Sequence, residues 1–273
     1  MNDVAAATAL DEAADLERRF GGLRRLHGPV AYARIRAASV AVVGLGGVGS
    51  WAAEALARCG VARLALVDMD HVAESNINRQ VQALDTTLGQ AKAEAMAARV
   101  RAIHPGCELH AVDAFATPDN WPALLPVPVD GVIDACDQVR AKAAIAAWAR
   151  TAAVPLVSVG AAGGKLRPQD VECADLAQVT HDPLLAALRQ RLRREHGVPA
   201  GKGLPGGQGA KAAKAAMFGV RCVFSREPVA PPADGCDVDG SLNCHGYGSS
   251  VTVTATFGLT ASADSLAQLT SRL

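Results

Sequence analysis

The cysteines of this sequence are not arranged in pairs. Its seven cysteines are scattered and odd in number, and no Cys-x-x-Cys motif occurs among them. An odd, scattered set argues against a disulfide framework, and the missing pairs argue against a four-cysteine zinc site. We therefore expect neither structural disulfides nor zinc.

The sequence also lacks an excess of either charge and any long apolar run. Lys plus Arg and Asp plus Glu number 27 each, so no global field favours a nucleic-acid partner. The N-terminal stretch does not combine a basic start with an apolar run, which argues against a secretory signal. No apolar run of membrane-spanning length is free of charges and glycines. These absences predict a cytoplasmic protein with no membrane partner.

Aromatic residues make up only 4% of the chain, whereas hydrophobic residues make up 50% and are mostly Ala, Val and Leu. That composition suits buried parallel strands that are covered by helices. Strand-like and helix-like segments alternate along the chain, which is typical of doubly wound folds. The sequence therefore predicts an α/β, Rossmann-like fold: a mostly parallel sheet with helices on both faces.

The individual elements follow from hydrophobic periodicity and from glycine breaks. The predicted strands are Ser39–Val43, Arg63–Val67, Glu108–Val112, Val129–Ile133, Pro155–Val159 and Val251–Phe257. The predicted helices are Ser50–Cys59, Leu88–Ile103, Ala141–Thr151, Leu184–Glu195 and Gly258–Leu273. We expect residues 1–15 to be a flexible lead-in. Residues 16–273 are expected to form one domain, with a basic insertion over residues 184–220 before the last strand.

A glycine-rich turn joins the first predicted strand to the first predicted helix. It contains Gly44, Gly46, Gly47 and Gly49. Glycines let the backbone approach phosphates closely, and the N-terminus of a helix presents free N–H groups to negative charge. Asp68 ends the next strand, where a carboxylate accepts hydrogen bonds from ribose hydroxyls. Taken alone, this pattern favours NAD or FAD.

The residues that follow shift the balance towards a nucleoside triphosphate. Asp70, Asn76, Arg79 and Gln80 come directly after the ribose-type acid, and Lys92 lies on the next predicted helix. Arg and Lys neutralise a triphosphate, and Arg stabilises charge that develops at phosphorus. A NAD enzyme has no need of these groups.

Asp134 and Asp137 end a further strand, and Asp137 is placed to hold Mg²⁺ between phosphate oxygens. Each residue also has a structural interpretation when it is taken singly. Arg79 or Lys92 would be a solvated surface charge, and Asp137 would be the N-cap of the helix that follows. Their combination at the strand ends of one sheet favours ligand binding, because ligands bind there in this class of fold.

Together these motifs resemble the adenylation domain of ubiquitin-activating-type enzymes, a superfamily that includes the molybdopterin and thiamine adenylyltransferases. The resemblance implies ATP and Mg²⁺ as cofactors and an acyl-adenylate as intermediate. It also implies that Asp68 binds the ribose, that Asn76, Arg79 and Lys92 bind the phosphates, and that Asp137 binds the metal. Arg79, Lys92 and Asp137 would then be the catalytic residues.

Three stretches point to one branch of that superfamily. They are Arg19–Gly28, Gly44–Arg58 and Cys222–Glu227, and they resemble the bacterial tRNA threonylcarbamoyladenosine dehydratases over about residues 16–263. The resemblance implies that ATP activates the threonyl carboxylate of the modified tRNA. An internal nucleophile would then close a ring with net loss of water.

Several relatives in the superfamily reach into a partner subunit with an N-terminal arginine. The spacing differs in this chain, so Arg19 and Arg25 are the candidates for such a trans contact in a homodimer. The alternative is that both are surface arginines on a helix.

A basic segment provides a candidate surface for tRNA. Nine Lys or Arg residues and a single acid, Glu195, lie between Arg189 and Arg226. Such local charge binds phosphate even when the whole chain is neutral. The predicted tRNA contacts are Arg189, Arg191, Arg193, Arg194, Lys202, Lys211 and Lys214. The alternative is a solvated basic helix that is followed by a loop.

Cys244 lies beside His245 in a glycine-rich turn, which makes it a candidate nucleophile. We prefer a structural role for it, because ring closure requires no enzyme nucleophile. The main functional alternative is an adenylyltransferase that activates the C-terminus of a ubiquitin-like sulfur carrier. A non-catalytic nucleotide-binding subunit and a NAD oxidoreductase are weaker alternatives.

Overall fold

A computed structural model of the chain describes residues 2–198, 217–230 and 247–271. In these ranges seven strands form one sheet in the order β3-β2-β1-β4-β5-β7-β6. The strands are β1 (Ser39–Val43), β2 (Arg63–Val67), β3 (Glu108–Val112), β4 (Gly131–Asp134), β5 (Leu156–Val159), β6 (Val171–Asp175) and β7 (Arg221–Ser225). The helices are α1 (Asn2–Ala37), α2 (Gly49–Arg58), α3 (Lys92–Ile103), α4 (Val139–Thr151), α5 (Pro183–Glu195) and α6 (Val251–Ser271).

Strand β1 is the centre from which the sheet is wound. It pairs in parallel with both β2 and β4, so that Val42 is opposite Leu66 on one side and Ile133 on the other. The chain runs from β1 to β2 and β3 in one direction and returns to β4 and β5 in the other. This reversal is the switch point at which a doubly wound sheet opens a crevice beyond its carboxyl ends.

The side chains of β1 alternate between two apolar layers. Val40 and Val42 pack with α2, α3 and α6 on one face, whereas Ala41 and Val43 belong to the layer that contains α4 and α5. All five residues of β1 are buried. Burial on both faces explains why this strand is a continuous apolar run rather than an alternating one.

Helix α1 covers the amino-terminal part of the described chain. It is kinked at Gly28, which has φ 79° and precedes Pro29. The residues expected to form a flexible lead-in are helical from Asn2 onwards, and the division between residues 1–15 and 16–273 remains a prediction.

The predicted fold class is confirmed, and most predicted elements agree with the structure. The strands β1, β2 and β3 have the predicted bounds, Ser39–Val43, Arg63–Val67 and Glu108–Val112. The helix predicted from Leu88 begins only at Lys92, because Gly89 has a positive φ and Ala91 forms an isolated β-bridge with His71. Neither the antiparallel edge strand β6 nor β7 was among the predicted strands.

The prediction of a strand at Val251–Phe257 is wrong, because these residues begin α6. The alternation of Val and Thr imitates a half-buried strand. The residues that the structure buries, Val253, Thr254, Phe257 and Ala261, are instead spaced as on one helical face. The hydroxyl of Ser262 donates to the carbonyl oxygen of Ala52 at 3.0 Å, which ties α6 to α2. Tertiary packing therefore overrides the local strand preference.

Strand β7 is the last strand of the sheet along the described chain and follows the basic insertion. It pairs in parallel with β5, and α5 precedes it in the chain. The parts of the chain on either side of the insertion therefore share one sheet. In the part of the chain that the structure describes, no helix is both long and apolar enough to cross a membrane.

His104 is buried just beyond the end of α3, between two side chains of α1. Its ring lies 4.8 Å from that of Phe20, and its Nε2 is 3.0 Å from Nη1 of Arg36. Burial, together with the positive charges of Arg36 and Arg19, lowers the pKa of His104 from 6.5 to about 4. The imidazole is therefore neutral in the folded protein at neutral pH.

We predict that His104 makes the fold sensitive to acid. Between pH 6.5 and about 4 the unfolded chain binds a proton on His104 that the folded chain does not, so stability falls as the pH falls. When the pH is lowered from 7 to 5, the free energy of unfolding should fall in both proteins. The fall should be larger in the wild type than in His104→Gln by about 1–2 kcal/mol, as measured by urea unfolding. Equal losses in the two proteins would contradict the assignment.

Candidate active site

A cavity of about 200 Å³ opens at the carboxyl ends of the parallel strands. The loops that follow β1, β2, β3, β4 and β5 all contribute to its wall, together with Leu184 of α5 and Thr254 of α6. The position agrees with the switch point between β1 and β4. The predicted site residues that line it are Gly44, Gly46, Gly47, Asp68, Arg79, Gln80, Lys92 and Asp137.

The glycine-rich turn forms the floor of the cavity, and its glycines have different roles. Gly44 has φ +85°, and a side chain there would meet the backbone of Ala135 at 2.9 Å. A side chain at Gly46 would meet nothing within 4 Å, because that residue faces open space in the cavity. Gly49 does not line the cavity; it begins α2 and packs against the carbonyl group of Gly44. The helix N-terminus is thus directed at the space that Gly46 leaves free.

Asp68 connects this turn to the end of β2. Its carboxylate accepts hydrogen bonds from the backbone N–H groups of Leu45 at 2.6 Å and Asp70 at 2.8 Å. Burial raises the pKa of Asp68 above its ordinary value, although these bonds and Lys92 oppose the shift. Asp68 therefore holds the glycine turn in place, in addition to facing the cavity as predicted.

Lys92 and Asp70 form an ion pair at the edge of the cavity. Nζ of Lys92 lies 2.8 Å from Oδ2 of Asp70, and the lysine side chain is 8% exposed against 53% for the aspartate. Of these two residues, Lys92 lines the cavity and Asp70 does not. Asp70 therefore orients the lysine and is not itself placed against a ligand.

Arg79 is held in position by its neighbours in the chain. Its Nη1 donates to the carbonyl oxygen of Ser75 at 2.7 Å and to Oδ1 of Asn78 at 2.9 Å. The indole N–H of Trp51 donates to the carbonyl oxygen of Arg79 at 3.0 Å. These contacts fix the backbone and one edge of the guanidinium group at the cavity wall.

Asn76 is not brought into the cavity. It is buried, and its Oδ1 accepts the N–H of Ala73 at 3.1 Å, which closes a short 3₁₀ turn. The structure therefore places Asn76 where it shapes the segment that leads to Arg79. Its predicted phosphate contact receives no support from this position.

Asp137 lies exposed at the cavity mouth, three residues beyond the end of β4. The N-cap of α4 is Gln138, so the alternative interpretation of Asp137 as the helix cap is wrong. Within the described residues no three His, Cys, Asp or Glu side chains are grouped as a metal site. A single carboxylate still suits Mg²⁺ when nucleotide phosphates supply further oxygen ligands.

The sequence analysis missed one residue that lines the cavity, Phe115, and two that support the loops around it, Gln82 and Asp182. Phe115 follows β3 and is 41% exposed, so it offers an aromatic face to a ligand. Gln82 is buried, and its Nε2 donates to the carbonyl oxygen of Leu45 at 2.8 Å. The Asp182 carboxylate caps α5 by accepting a hydrogen bond from the backbone N–H of Leu185 at 2.9 Å. It also accepts one from the backbone N–H of Ala161 at 2.9 Å. Phe115 and Ala161 follow strands of the parallel sheet, and that position was the available signal.

The candidates for a trans contact lie away from the cavity of their own chain. Arg19 and Arg25 are exposed on α1, and Nη1 of Arg19 donates to the carbonyl oxygen of Ile103 at 2.8 Å. The roles predicted for both residues remain predictions. Lys202, Lys211, Lys214 and Cys244 lie outside the described residues.

The arginines of α5 differ in what they face. Arg189 donates to the carbonyl oxygens of Leu176 at 3.2 Å and Val179 at 2.7 Å, so it supports a loop of the protein itself. Arg191 is 2.7 Å from Glu195, which also pairs with Arg194 at 2.7 Å. Arg193 is exposed and lies over the ring of Phe218. Arg193 and Arg194 therefore present the most accessible charge on this helix.

The chain is similar to known proteins over most of its length. The profile of the ThiF family matches residues 21–272. A tRNA threonylcarbamoyladenosine dehydratase of Escherichia coli K12 is 44% identical, over 92% of this chain and 93% of that protein. The one from Haemophilus influenzae is 40% identical, over 89% of each chain. The crystal structure of the E. coli enzyme in complex with ATP matches with a TM-score of 0.80 and 43% identity, over 93% of this chain and 94% of that chain.

The two glycines on the cavity floor should respond differently to a methyl group. Gly44→Ala would combine a positive φ with contact to the Ala135 backbone, so we expect it to lower the free energy of unfolding by at least about 2 kcal/mol. Gly46→Ala meets no atom and should change it by less than about 1 kcal/mol. Urea unfolding of both variants provides the measurement, and equal losses would contradict this account of the turn.

Proposed function

The chain belongs to the ThiF family, and from that premise we propose that it catalyses the ATP-dependent dehydration of threonylcarbamoyladenosine in tRNA. One observation carries the proposal: similarity to named dehydratases extends over about nine-tenths of both chains, far beyond the nucleotide motifs. The cavity at the switch point provides a matching site for the nucleotide.

The cavity is suited to a nucleoside triphosphate. The open floor at Gly46 and the N-terminus of α2 would receive phosphate oxygens, because free backbone N–H groups favour negative charge. Arg79 and Lys92 would neutralise the remaining charge from the wall. Asp68, at the end of β2, would accept hydrogen bonds from the ribose hydroxyls. Phe115 offers an aromatic face on the β3 side.

Asp137 would hold Mg²⁺ at the cavity mouth. The exposed carboxylate suits an ion whose other ligands are phosphate oxygens and water. When bound, the ion supplies positive charge that stabilises negative charge on the phosphates.

The proposed reaction makes a poor electrophile reactive. The threonyl carboxylate of the modified adenosine would attack the α-phosphorus of ATP, forming an acyl-adenylate and releasing pyrophosphate. An internal nucleophile of the same modification would then attack the acyl carbon and expel AMP, which closes the ring. Arg79 and Lys92 would stabilise the charge that builds up on phosphorus in the first step. Neither step requires Cys244 as a nucleophile.

The alternative of a sulfur-carrier adenylyltransferase receives less support. The relatives that match about nine-tenths of the chain are dehydratases. The chain also lacks the two Cys-x-x-Cys pairs that sulfur-carrier activators usually carry.

The tRNA would lie along α5, beside the cavity. The first turn of this helix contributes Leu184 to the cavity wall, and Arg193 and Arg194 are exposed towards its other end. We also propose that the chain forms a homodimer in which Arg19 or Arg25 reaches the partner's cavity. We propose a cytoplasmic location, because the tRNA substrate is found there.

We expect Arg79→Ala to abolish most of the activity. Removing one preorganised positive group from the phosphate site should lower kcat/KM by about 100-fold or more. The measurement is mass spectrometry of digested nucleosides after incubation with ATP, Mg²⁺ and threonylcarbamoyladenosine-bearing tRNA, which should show an ATP-dependent loss of one water. Arg101→Ala, at an exposed position in the last turn of α3, is the matched control and should retain wild-type activity. A wild-type protein that leaves the nucleoside mass unchanged would remove the dehydratase proposal.

The α5 surface can be examined separately. The Arg193→Glu, Arg194→Glu double variant should weaken tRNA binding and reduce the dependence of log Kd on log salt by about 2, because two phosphate contacts are lost. Arg150→Glu, at an exposed position in the last turn of α4, serves as control. Filter binding over a series of salt concentrations gives both quantities. An unchanged slope in the double variant would place the tRNA elsewhere.

A further inference from the structure

A buried ion pair lies directly behind the cavity wall. Nζ of Lys142 is 3.0 Å from Oδ2 of Asp134, and both side chains are 0% exposed. The hydroxyl of Ser158 donates to the same carboxylate oxygen at 2.8 Å. Removing two charges from water is costly, and apolar residues of similar volume often stabilise a core as well or better. Stability alone therefore does not explain this group.

The hydrogen bonds of Asp134 lead towards the cavity. Its Oδ1 accepts the backbone N–H of Cys136 at 3.3 Å and the thiol of the same residue at 3.0 Å. The thiol and the backbone N–H of Cys136 both donate to the same carboxylate oxygen, so two hydrogen bonds fasten the loop to Asp134. One oxygen of Asp134 thus faces the core, and the other holds the loop.

Lys142 closes the arrangement from the opposite end of the same loop. It lies in the first turn of α4, and its Nζ also donates to the carbonyl oxygen of Asp134 at 3.2 Å. The last residue of β4 and the first turn of α4 are therefore tied together across residues 135–138. All four residues of this loop line the cavity.

The loop has few other restraints. Ala135 donates its N–H to the carbonyl oxygen of Val43 at 2.8 Å and packs against Gly44. Among the described residues, the Asp137 carboxylate forms neither a hydrogen bond nor an ion pair. The backbone of the loop therefore sets the point from which this side chain extends, and Asp134 holds that backbone at the neighbouring residue, Cys136.

We infer that Asp134, Lys142 and Ser158 are positioning residues that fix the 135–138 loop and so direct the Asp137 carboxylate at a metal–nucleotide complex. The inference rests on the proposed function for the presence of that complex. The three side chains act through directional hydrogen bonds, which an apolar replacement of equal volume does not supply. Their loss should weaken the metal-dependent part of nucleotide binding and leave the contacts of the glycine turn, Arg79 and Lys92 in place.

The test is calorimetric titration of ATP into the protein in Mg²⁺ and in EDTA. The ratio of the two Kd values measures what the metal adds, and Asp137→Ala provides the reference for its loss. Lys142→Met removes the cation but leaves a buried carboxylate. The double variant Asp134→Ala, Lys142→Met removes both charges. Its free energy of unfolding in urea should therefore be closer to the wild-type value than that of Lys142→Met.

We expect the Mg²⁺ enhancement of ATP binding to fall about 10-fold in both variants, the lower end of the range for residues that support a metal ligand. The Kd in EDTA should stay within about 2-fold of wild type, because the side chains of Arg79 and Lys92 have other partners and contact none of the substituted residues. A double variant that regains stability and the full enhancement would show that the network is merely structural, which would overturn the inference. A wild type with equal Kd values in Mg²⁺ and EDTA would overturn it as well.

Ser158→Ala keeps the test decisive if the charge variants do not fold. It removes a single hydroxyl and should reduce the enhancement by a smaller factor, about 3-fold, without unfolding the protein. A full enhancement in this variant would then count against the inference. The proposed function is tested separately, by assaying the wild-type protein with modified tRNA. No loss of water there, together with a Mg²⁺ enhancement that the variants lose, would leave the positioning role standing.

Discussion

The close approach of two strand-end loops is the constraint on which the cavity depends. Gly44 follows β1 with a positive φ and lies against the backbone of Ala135, which follows β4. Because β1 pairs directly with β4, the two loops leave the sheet side by side, and any side chain at Gly44 would separate them. The free space at Gly46 and the direction of the α2 N-terminus both follow from this contact.

Polar groups buried beneath the cavity hold its wall in place. Asp68 anchors the turn after β1, Asp134 the loop after β4, and Asp182 the loop after β5, in each case by accepting backbone N–H groups. Asp68 ends β2 and Asp182 precedes α5, so these two carboxylates each join a loop to another element, whereas Asp134 joins the loop to its own strand. A wall made of glycines and short loops thereby acquires a definite shape, which a binding site for a charged ligand requires.

The sequence predicted the central part of the fold well and its last element badly. Strands β1 and β2 are near-continuous apolar runs that end at a glycine or an acidic residue, and such runs have few alternative structures. Helix α6 carries a Val-Thr alternation that satisfies a strand pattern equally well. Only the surface of α2, against which Val253 and Phe257 pack, decides in favour of the helix.

The sequence by itself determined the residues that meet at the cavity, because parallel strands place their carboxyl ends on one edge and the motif residues follow those ends. Gly44, Arg79, Lys92 and Asp137 meet there for that reason. The tertiary structure alone decided how each is used. It placed Asn76 under a turn, turned Arg189 towards backbone carbonyls and joined Lys142 to Asp134. Hydrogen-bond partners depend on which segments become neighbours on folding, and local sequence carries no record of those distances.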